Sequence, residues 1–411
     1  MQRWSQLPEA IRQYTIITGN YWAFTLTDGA LRMLVVLHFH ALGYAPLQIA
    51  MLFLFYEIFG VITNLVGGWL GARFGLNRTM NIGLALQVVA LSMLLVPSGF
   101  LSVAWVMAAQ ALSGVAKDLN KMSAKSSIKL LLSDAQQSRL YTWVALLTGS
   151  KNTLKGVGFF MGGALLTLVG FRGAMLLMAV MLCLVWLFSL FALGKDLGKA
   201  KRKAPFTAIF SKSQAINILS AARLFLFGAR DVWFVVALPV YLSVTLEWDD
   251  WSVGGFLALW VIGYGFVQAL APRLTGNSET KQPGGRTAFI WAAVLAVIPA
   301  GIALAVMGEF HTETSLVVGL LMFGVLFAIN SSLHSFLILS HASRDGVSLD
   351  VGFYYMANAL GRLLGTVLSG WLFQRYGLEM CLWVSALLVT LSALIIIRLP
   401  AGIGQESGHT L

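Results

Sequence analysis

Apolar residues in this chain come in long blocks, and short polar stretches separate the blocks. Twelve can be read, at about 17–42, 46–71, 79–97, 101–121, 140–168, 172–193, 214–243, 252–272, 287–308, 315–340, 351–373 and 379–398. Each spans about 18 residues or more, enough as a helix to cross a hydrocarbon core about 30 Å thick. The segment G-K-D-L-G-K-A-K-R-K-A-P-F-T-A-I-F-S-K-S, Gly194 to Ser213, separates six blocks from six; its charge density and Pro205 mark a linker. The pattern predicts an all-α integral membrane protein with twelve transmembrane helices in two six-helix halves, 1–193 and 214–398. A cytoplasmic linker, 194–213, joins the halves, and a cytoplasmic tail, 399–411, follows them.

The fifth block carries the most unusual stretch, T-G-S-K-N-T-L-K-G-V-G-F-F-M-G-G from Thr148 to Gly163. Lys151 and Lys155 share one helical face. At about 1.5 Å per residue they lie roughly 16 and 22 Å into the block, near mid-membrane. An ammonium there costs several kcal/mol unless something compensates it, so a functional role is the default reading. The glycines beside them let a neighbouring helix or a ligand approach the backbone. The eleventh block, N-A-L-G-R-L-L-G-T-V-L-S-G-W-L-F-Q-R-Y-G, overlays this one at a displacement of 207 residues. Asn358 falls on Lys151, Arg362 on Lys155, Gly365 on Gly158, Gly370 on Gly163 and Gly377 on Gly170. The two halves therefore read as pseudo-symmetric repeats with a basic residue at one common depth.

Other blocks are interrupted by charge as well. The first holds Asp28 and Arg32, four residues apart and within reach of an in-helix ion pair, and then His38 and His40 near its outer end. Asp28 and Arg32 either neutralise one another or line a pathway; the two histidines do not share a face and read as interfacial. Glu57 stands at mid-depth in the second block, either as a neutral structural carboxyl or as a proton carrier. At the end of the fourth, Lys117, Lys121, Lys125 and Lys129 recur every four residues. Lys125 and Lys129 read as the solvated face of a cytoplasmic extension, while Lys117 still lies in the apolar register and is expected at a cavity mouth. Arg223, Arg230 and Asp231 fall in the seventh block; Asn330 and His334 share a face in the tenth. His334 is either a hydrogen-bonded packing residue or a proton relay.

Composition fixes the class and the topology. Residues are 58% hydrophobic and 11% charged, against about a quarter charged in soluble domains, and mean hydropathy is +0.79. The first residues do not read as a cleavable signal, because the apolar run that follows is too long and contains charge. Net charge is +11, with most Lys and Arg on one side of the blocks. Arg73, Arg78, Arg139 and the linker lysines lie there, opposite Glu247, Asp249, Asp250, Glu309 and Glu313. The positive-inside rule puts both termini in the cytoplasm. The charge reports topology, and no nucleic-acid partner is expected. Cys183 and Cys381 sit singly in apolar runs, so neither a disulfide framework nor a metal site is implied.

The mid-membrane set is Arg32, Lys151, Lys155, Arg223, Arg230 and Arg362 against Asp28, Glu57 and Asp231. Buried charge needs compensation, and a small, multiply charged anion would supply it. Arginine forks suit carboxylate and phosphate oxygens, and lysine provides a movable point charge. The expected substrate-binding residues are Arg32, Lys117, Lys151, Lys155, Arg223, Arg230, Asn358 and Arg362. Asp28, Glu57, Asp231 and His334 are the charge-pairing or coupling candidates. No nucleotide-binding P-loop is present, no spacing suggests a nucleophile–base pair, and no cofactor is called for. Secondary transport by alternating access is the expectation, by a monomer in contact with membrane lipid. A non-transporting receptor or scaffold is the alternative from another class.

Two resemblances sharpen this. The string G-G-W-L-G-A-R-F-G-L-N-R, Gly67 to Arg78, resembles the loop signature of the major facilitator superfamily, with Gly68, Arg73, Gly75 and Arg78 in place and Ala72 where the family has an acid. That resemblance implies the twelve-helix facilitator fold and a conformational role for the loop. The strings T-D-G-A-L-R-M-L-V-V-L-H-F-H-A-L-G-Y, S-G-V-A-K-D-L-N-K-M-S-A-K-S-S-I-K, L-T-G-S-K-N-T-L-K-G-V-G-F-F and S-A-A-R-L-F-L-F-G-A-R-D-V-W-F-V-V-A-L-P are similar to the organoarsenical efflux permeases of bacterial arsenic-resistance operons. The likeness runs from about Tyr14 to Arg398. It implies export of 1-arseno-3-phosphoglycerate across the bacterial inner membrane, with a glyceraldehyde-3-phosphate dehydrogenase as the functional partner that makes it. Other organophosphates or organic anions remain the alternative cargo. Arsenite, which wants thiolates, fits poorly.

Overall fold

The computed structural model describes residues 8–43, 52, 54–194, 197–200, 205–209 and 213–400; a few side chains on helices, those of His40 and Glu57 among them, lie outside that description. Among the described residues, all regular structure is helical. The first four long helices are α1 (Glu9–Ala41), α2 (Leu54–Phe74), α3 (Leu76–Met93) and α4 (Val103–Leu131). A continuous helical stretch, Gln137–Ala192, breaks at Gly170 and supplies α5 (137–169) and α6 (171–192). Then come α7 (Gln214–Phe234), prolonged through Ala237–Val240 and a π-turn at Tyr241–Thr245, α8 (Asp250–Leu274), α9 (Gly285–Met307) and α10 (Thr312–His341). Val347–Ile396 breaks at Gly377 into α11 (347–376) and α12 (378–396). This is compatible with the twelve spans that the apolar blocks predict.

The two breaks confirm the repeat from backbone geometry. Gly170 (φ 69, ψ 175) and Gly377 (φ 78, ψ −176) lie 207 residues apart (377 − 170) in one conformation, a region essentially only glycine enters. Among the described residues, six stretches are long and apolar enough to cross a bilayer: Asp134–Ala192, Gln214–Thr245, Trp251–Leu274, Gly285–Met307, Thr312–His341 and Val347–Ile396. The first and last of these each hold two spans. Helices α1 and α4 miss that hydropathy standard because they carry the charge discussed below. Large apolar side chains such as Phe191, Leu168, Val297 and Leu259 face outward, 65 to 90% exposed. Such surface belongs in lipid, not in water.

The described residues divide into two compact units. One draws on Met1–Ser133, Ser150–Phe210 and Ser343–Met356, the other on Asp134–Gly149, Ser211–Ala342 and Ala357–Leu411. Each unit contains the opening turns of a helix whose remainder lies in the other. The crossings follow Gly149 and Met356, again 207 residues apart (356 − 149).

Glycine contacts set the helix spacing inside each unit. In the first, a Cβ on Gly158 of α5 would come within 2.8 Å of the Leu26 carbonyl oxygen, and one on Gly162 within 2.6 Å of that of Ala30. In the second, Gly365 of α11 meets the Gly228 carbonyl of α7 at 2.7 Å by the same measure, and Gly361 is pressed against the Leu224 carbonyl. Thus α5 lies on α1 as α11 lies on α7, backbone against backbone. Gly163 and Gly370, the equivalent pair one turn further on, face open space or a single methyl at 3.9 Å and do not serve the approach expected of Gly163. The core of the second unit is aromatic: Trp233 stands edge-on to Phe323 at 5.0 Å, and Trp260 stacks on Tyr264 at 5.6 Å.

Candidate functional site

The first unit gathers a polar cluster on α1, α2, α4 and α5. Its centre is Tyr56 of α2, whose hydroxyl donates to Asp28 Oδ1 at 2.8 Å. The Arg32 guanidinium lies 4.0 Å from the ring centroid of Tyr56, and the Lys117 ammonium 3.7 Å. Two cations on one ring are attracted to its π-face, and Asp28 beneath the hydroxyl adds negative charge to the same assembly. Asp28 and Arg32 do not form the in-helix ion pair that their spacing allows; each engages Tyr56 instead. Gly114 permits this, because a side chain there would run into the Tyr56 backbone, 2.9 Å from its carbonyl oxygen.

One turn further along α4, Lys121 pairs with Asp118 at 2.6 Å. Lys121 and Lys125 both lie over the ring of Tyr355, at 4.9 and 4.8 Å, and Lys125 also donates to the Tyr355 hydroxyl. Lys125 and Lys129 are 4% and 5% exposed. The solvated face expected for them is therefore wrong. Tyr355, in the opening turns of α11, covers Lys121 and Lys125, and Arg344 donates to the Leu132 carbonyl at 2.9 Å just beyond α4. On α5, Lys151 donates to Asn152 Oδ1 at 3.2 Å, and the charges around it are Asp28, Lys117, Lys121 and Lys125. Lys155 lies 6.0 Å from the Phe159 ring. Arg32, Lys117, Lys121, Lys151 and Lys155 are all half-buried. Glu57 sits on α2 next to Tyr56, with its side chain outside the described residues.

The second unit has a smaller arginine cluster on α7, α10 and α11. Asp231, fully buried, accepts from Arg230 at 2.6 Å on one oxygen and from Arg362 at 3.0 Å on the other. Arg230 lies 5.1 to 5.8 Å from the rings of Phe227, Phe234 and Phe327. Arg223 donates to Asn358 Oδ1 at 2.9 Å and to the Ser331 carbonyl at 3.0 Å, and its guanidinium covers Phe227 at 3.9 Å. His334 is fully buried, and among the described residues neither ring nitrogen has a hydrogen-bond partner.

The expected substrate-binding residues thus fall into two groups. Arg32, Lys117, Lys151 and Lys155 come together in the first unit, and Arg223, Arg230, Arg362 and Asn358 in the second. The excess of cations over acids stands, because Asp231 was already set against Arg230 and Arg362, and the further pair, Asp118 with Lys121, adds one charge of each sign. Asp118 was missed, although its spacing of three from Lys121 inside an apolar register is a readable signal. Tyr355 carried no such signal; only tertiary packing brings it to α4.

The loop signature is also placed. Gly68 lies where a Cβ would be 3.1 Å from the Gly352 Cα, and its carbonyl accepts from Ser348 Oγ at 2.8 Å. Gly75 takes φ 96 at the start of α3, Arg73 lies 5.0 Å from the Trp69 ring, and Arg78 is exposed. His38 stacks on Phe171 at 4.0 Å. Cys183 and Cys381 are free thiols on α6 and α12.

Comparison with known proteins follows this geometry. The Major Facilitator Superfamily model matches residues 17–349. Among solved structures, the human organic anion transporter MFSD10 (TETRAN) is similar at a TM-score of 0.74 and 14% identity, with 95% of this chain and 100% of that chain covered. The fucose:proton symporter FucP of E. coli is similar at 0.75 and 11%, covering 96% and 100%. A bacterial homologue of the iron transporter ferroportin, in its outward-facing state, is similar at 0.72 and 15%, covering 94% and 98%. Among curated proteins none matches the chain.

Proposed function

The chain belongs to the major facilitator superfamily, whose members are transporters and not enzymes, and from that premise we propose that it is a secondary exporter of a small, multiply charged organic anion. The supporting observation is the cluster around Tyr56: Arg32, Lys117, Lys121, Lys125 and Lys151 share one region with Asp28 and Asp118. Cations outnumber the acids described there, and Arg32, Lys117 and Lys151 are half-buried rather than enclosed, so an anion entering from water gains charge-assisted hydrogen bonds at those side chains. Lysine predominates in this cluster, which suits a tetrahedral oxyanion bound as a point charge.

The favoured cargo is 1-arseno-3-phosphoglycerate. It carries phosphate and arsenate groups together, and the resemblance of four long strings to organoarsenical permeases supports it. Alternating access about a mid-membrane site is the proposed cycle. The protein then sits in a bacterial inner membrane with both termini inside and depends on a glyceraldehyde-3-phosphate dehydrogenase for substrate. Cells expressing both proteins should resist arsenate, and cells expressing either alone should not. Resistance without the dehydrogenase would indicate direct oxyanion export. Unchanged efflux after Lys117→Gln and Lys151→Gln together would remove the Tyr56 cluster from the site.

A further inference from the structure

Arg230 and Arg362 stand near the middle of their spans, Gln214–Thr245 and α11. Their side chains are nonetheless 15% and 31% exposed. A guanidinium at mid-membrane depth does not give that surface to hydrocarbon, so both border an aqueous space. Asp231, with no exposed surface, fixes each of them by one edge. Its Oδ1 accepts from Arg230 Nε at 2.6 Å, and its Oδ2 from Arg362 Nε at 3.0 Å. Within this triad two guanidinium groups face one carboxylate, an excess of one positive charge. Arg223 adds no donor to it, because it is 3% exposed and donates to Asn358 Oδ1 and the Ser331 carbonyl.

The wall beside the pair is aromatic. Arg230 lies 5.1, 5.8 and 5.5 Å from the ring centroids of Phe227, Phe234 and Phe327. Phe227 and Phe327 are buried, whereas Phe234 keeps accessible surface. Two indoles hold Phe234 in place, with ring centroids 5.6 Å away for Trp233 and 4.9 Å for Trp260. A rigid ring with open surface therefore adjoins two water-facing guanidinium groups.

We propose that Arg230, Arg362 and Phe234 form a site in the second unit for a planar aromatic monocarboxylate, of the benzoate class. The guanidinium forks match the two carboxylate oxygens, and the ring of the ligand packs against Phe234. A single negative charge balances the excess in the triad, whereas a dianion would leave a negative charge to be compensated. Asp231 is a positioning residue: it orients both arginines without meeting the ligand. Nothing in this assignment depends on which anion binds at the Tyr56 cluster.

The test is a fluorine NMR titration of the purified full chain with para-fluorobenzoate, then displaced by benzoate or by cyclohexanecarboxylate. The two competitors carry the same charge and differ in the ring. Benzoate should displace the probe at about fivefold lower concentration, the scale of one aromatic pair. Phe234→Leu should erase that ratio, with the affinity for cyclohexanecarboxylate kept. Arg362→Lys, which keeps the charge and loses the fork, should weaken both competitors about fivefold or more. Lys117→Gln and Lys151→Gln together should leave probe binding as it is, so failure at the Tyr56 cluster and failure here are told apart. Equal displacement by the two competitors in the wild type, or a ratio that survives Phe234→Leu, overturns the proposal. So does full probe affinity in Arg362→Lys, or loss of the probe in the double lysine variant.

Discussion

At the scale of the residue, the two polar clusters differ in what a single substitution leaves behind. Asp231 is buried between Arg230 and Arg362, so Asp231→Asn removes the carboxylate charge that the two guanidinium groups share. Breaking a buried pair from one side costs about 3–5 kcal/mol. The thermal midpoint of the purified protein should fall accordingly, and Arg362→Gln in the same chain should recover part of the loss. If the double variant is merely the sum of the two singles, Asp231 and Arg362 are not coupled. Tyr56 offers a cleaner separation of roles. Tyr56→Phe removes the hydroxyl that Asp28 accepts but keeps the ring under Arg32 and Lys117. Tyr56→Leu removes both. Anion affinity should therefore survive the first change within about threefold and fall about tenfold with the second, the scale of one to two kcal/mol of lost cation–π organisation. Equal losses from both would assign the effect to Asp28 instead.

At the scale of the element, the repeat makes paired predictions that a single site cannot. Gly158 and Gly365 occupy equivalent positions, and each presses its helix onto a neighbouring backbone, at 2.8 and 2.7 Å to a carbonyl oxygen. Gly163 and Gly370 are equivalent too and stand open. Leucine at Gly158 or Gly365 should push α5 off α1 or α11 off α7, with loss of monodisperse protein on size-exclusion chromatography. Leucine at Gly163 or Gly370 should be tolerated. A reversed pattern would mean that the helix faces are wrongly assigned. Much of this was legible beforehand, because block length, the 207-residue displacement and the glycine alignment are properties of sequence order. What stayed hidden was which glycine of each set touches backbone, since that depends on helix rotation. The burial of Lys125 and Lys129 was hidden for a related reason. Their periodicity of four describes one face of α4 but says nothing of what covers it, and the cover of Lys125, Tyr355, lies 230 residues away in sequence. Periodicity reads one helix at a time.

At the scale of the whole molecule, the division of the chain gives the proposed transport cycle a place to be tested. Residues 343–356 belong to the second half in sequence yet pack within the first unit, through Tyr355 on Lys121 and Lys125, Arg344 on the Leu132 carbonyl and Ser348 on the Gly68 carbonyl. These hydrogen bonds and cation–π contacts, worth about one kcal/mol each, stand beside apolar ones, since Val347, Val351 and Tyr354 of the same turns are fully buried. The proposed alternating-access cycle leaves two outcomes open to test: these turns part from α4 in each cycle, or they stay joined to it. Cysteines at Lys125 and Tyr355, in a chain with Cys183 and Cys381 changed to serine, allow these turns of α11 to be tethered to α4 at will. A short thiol cross-linker should stop efflux of the arsenylated metabolite from cells that also make the dehydrogenase, and a linker cleaved by reductant should restore it on reduction. The same double-cysteine protein without linker should still transport at a reduced rate, because it has lost the contact but not the motion. Undiminished efflux with the linker in place would mean that α4 and the start of α11 travel as one body. The boundary between moving parts would then have to be sought elsewhere in the chain.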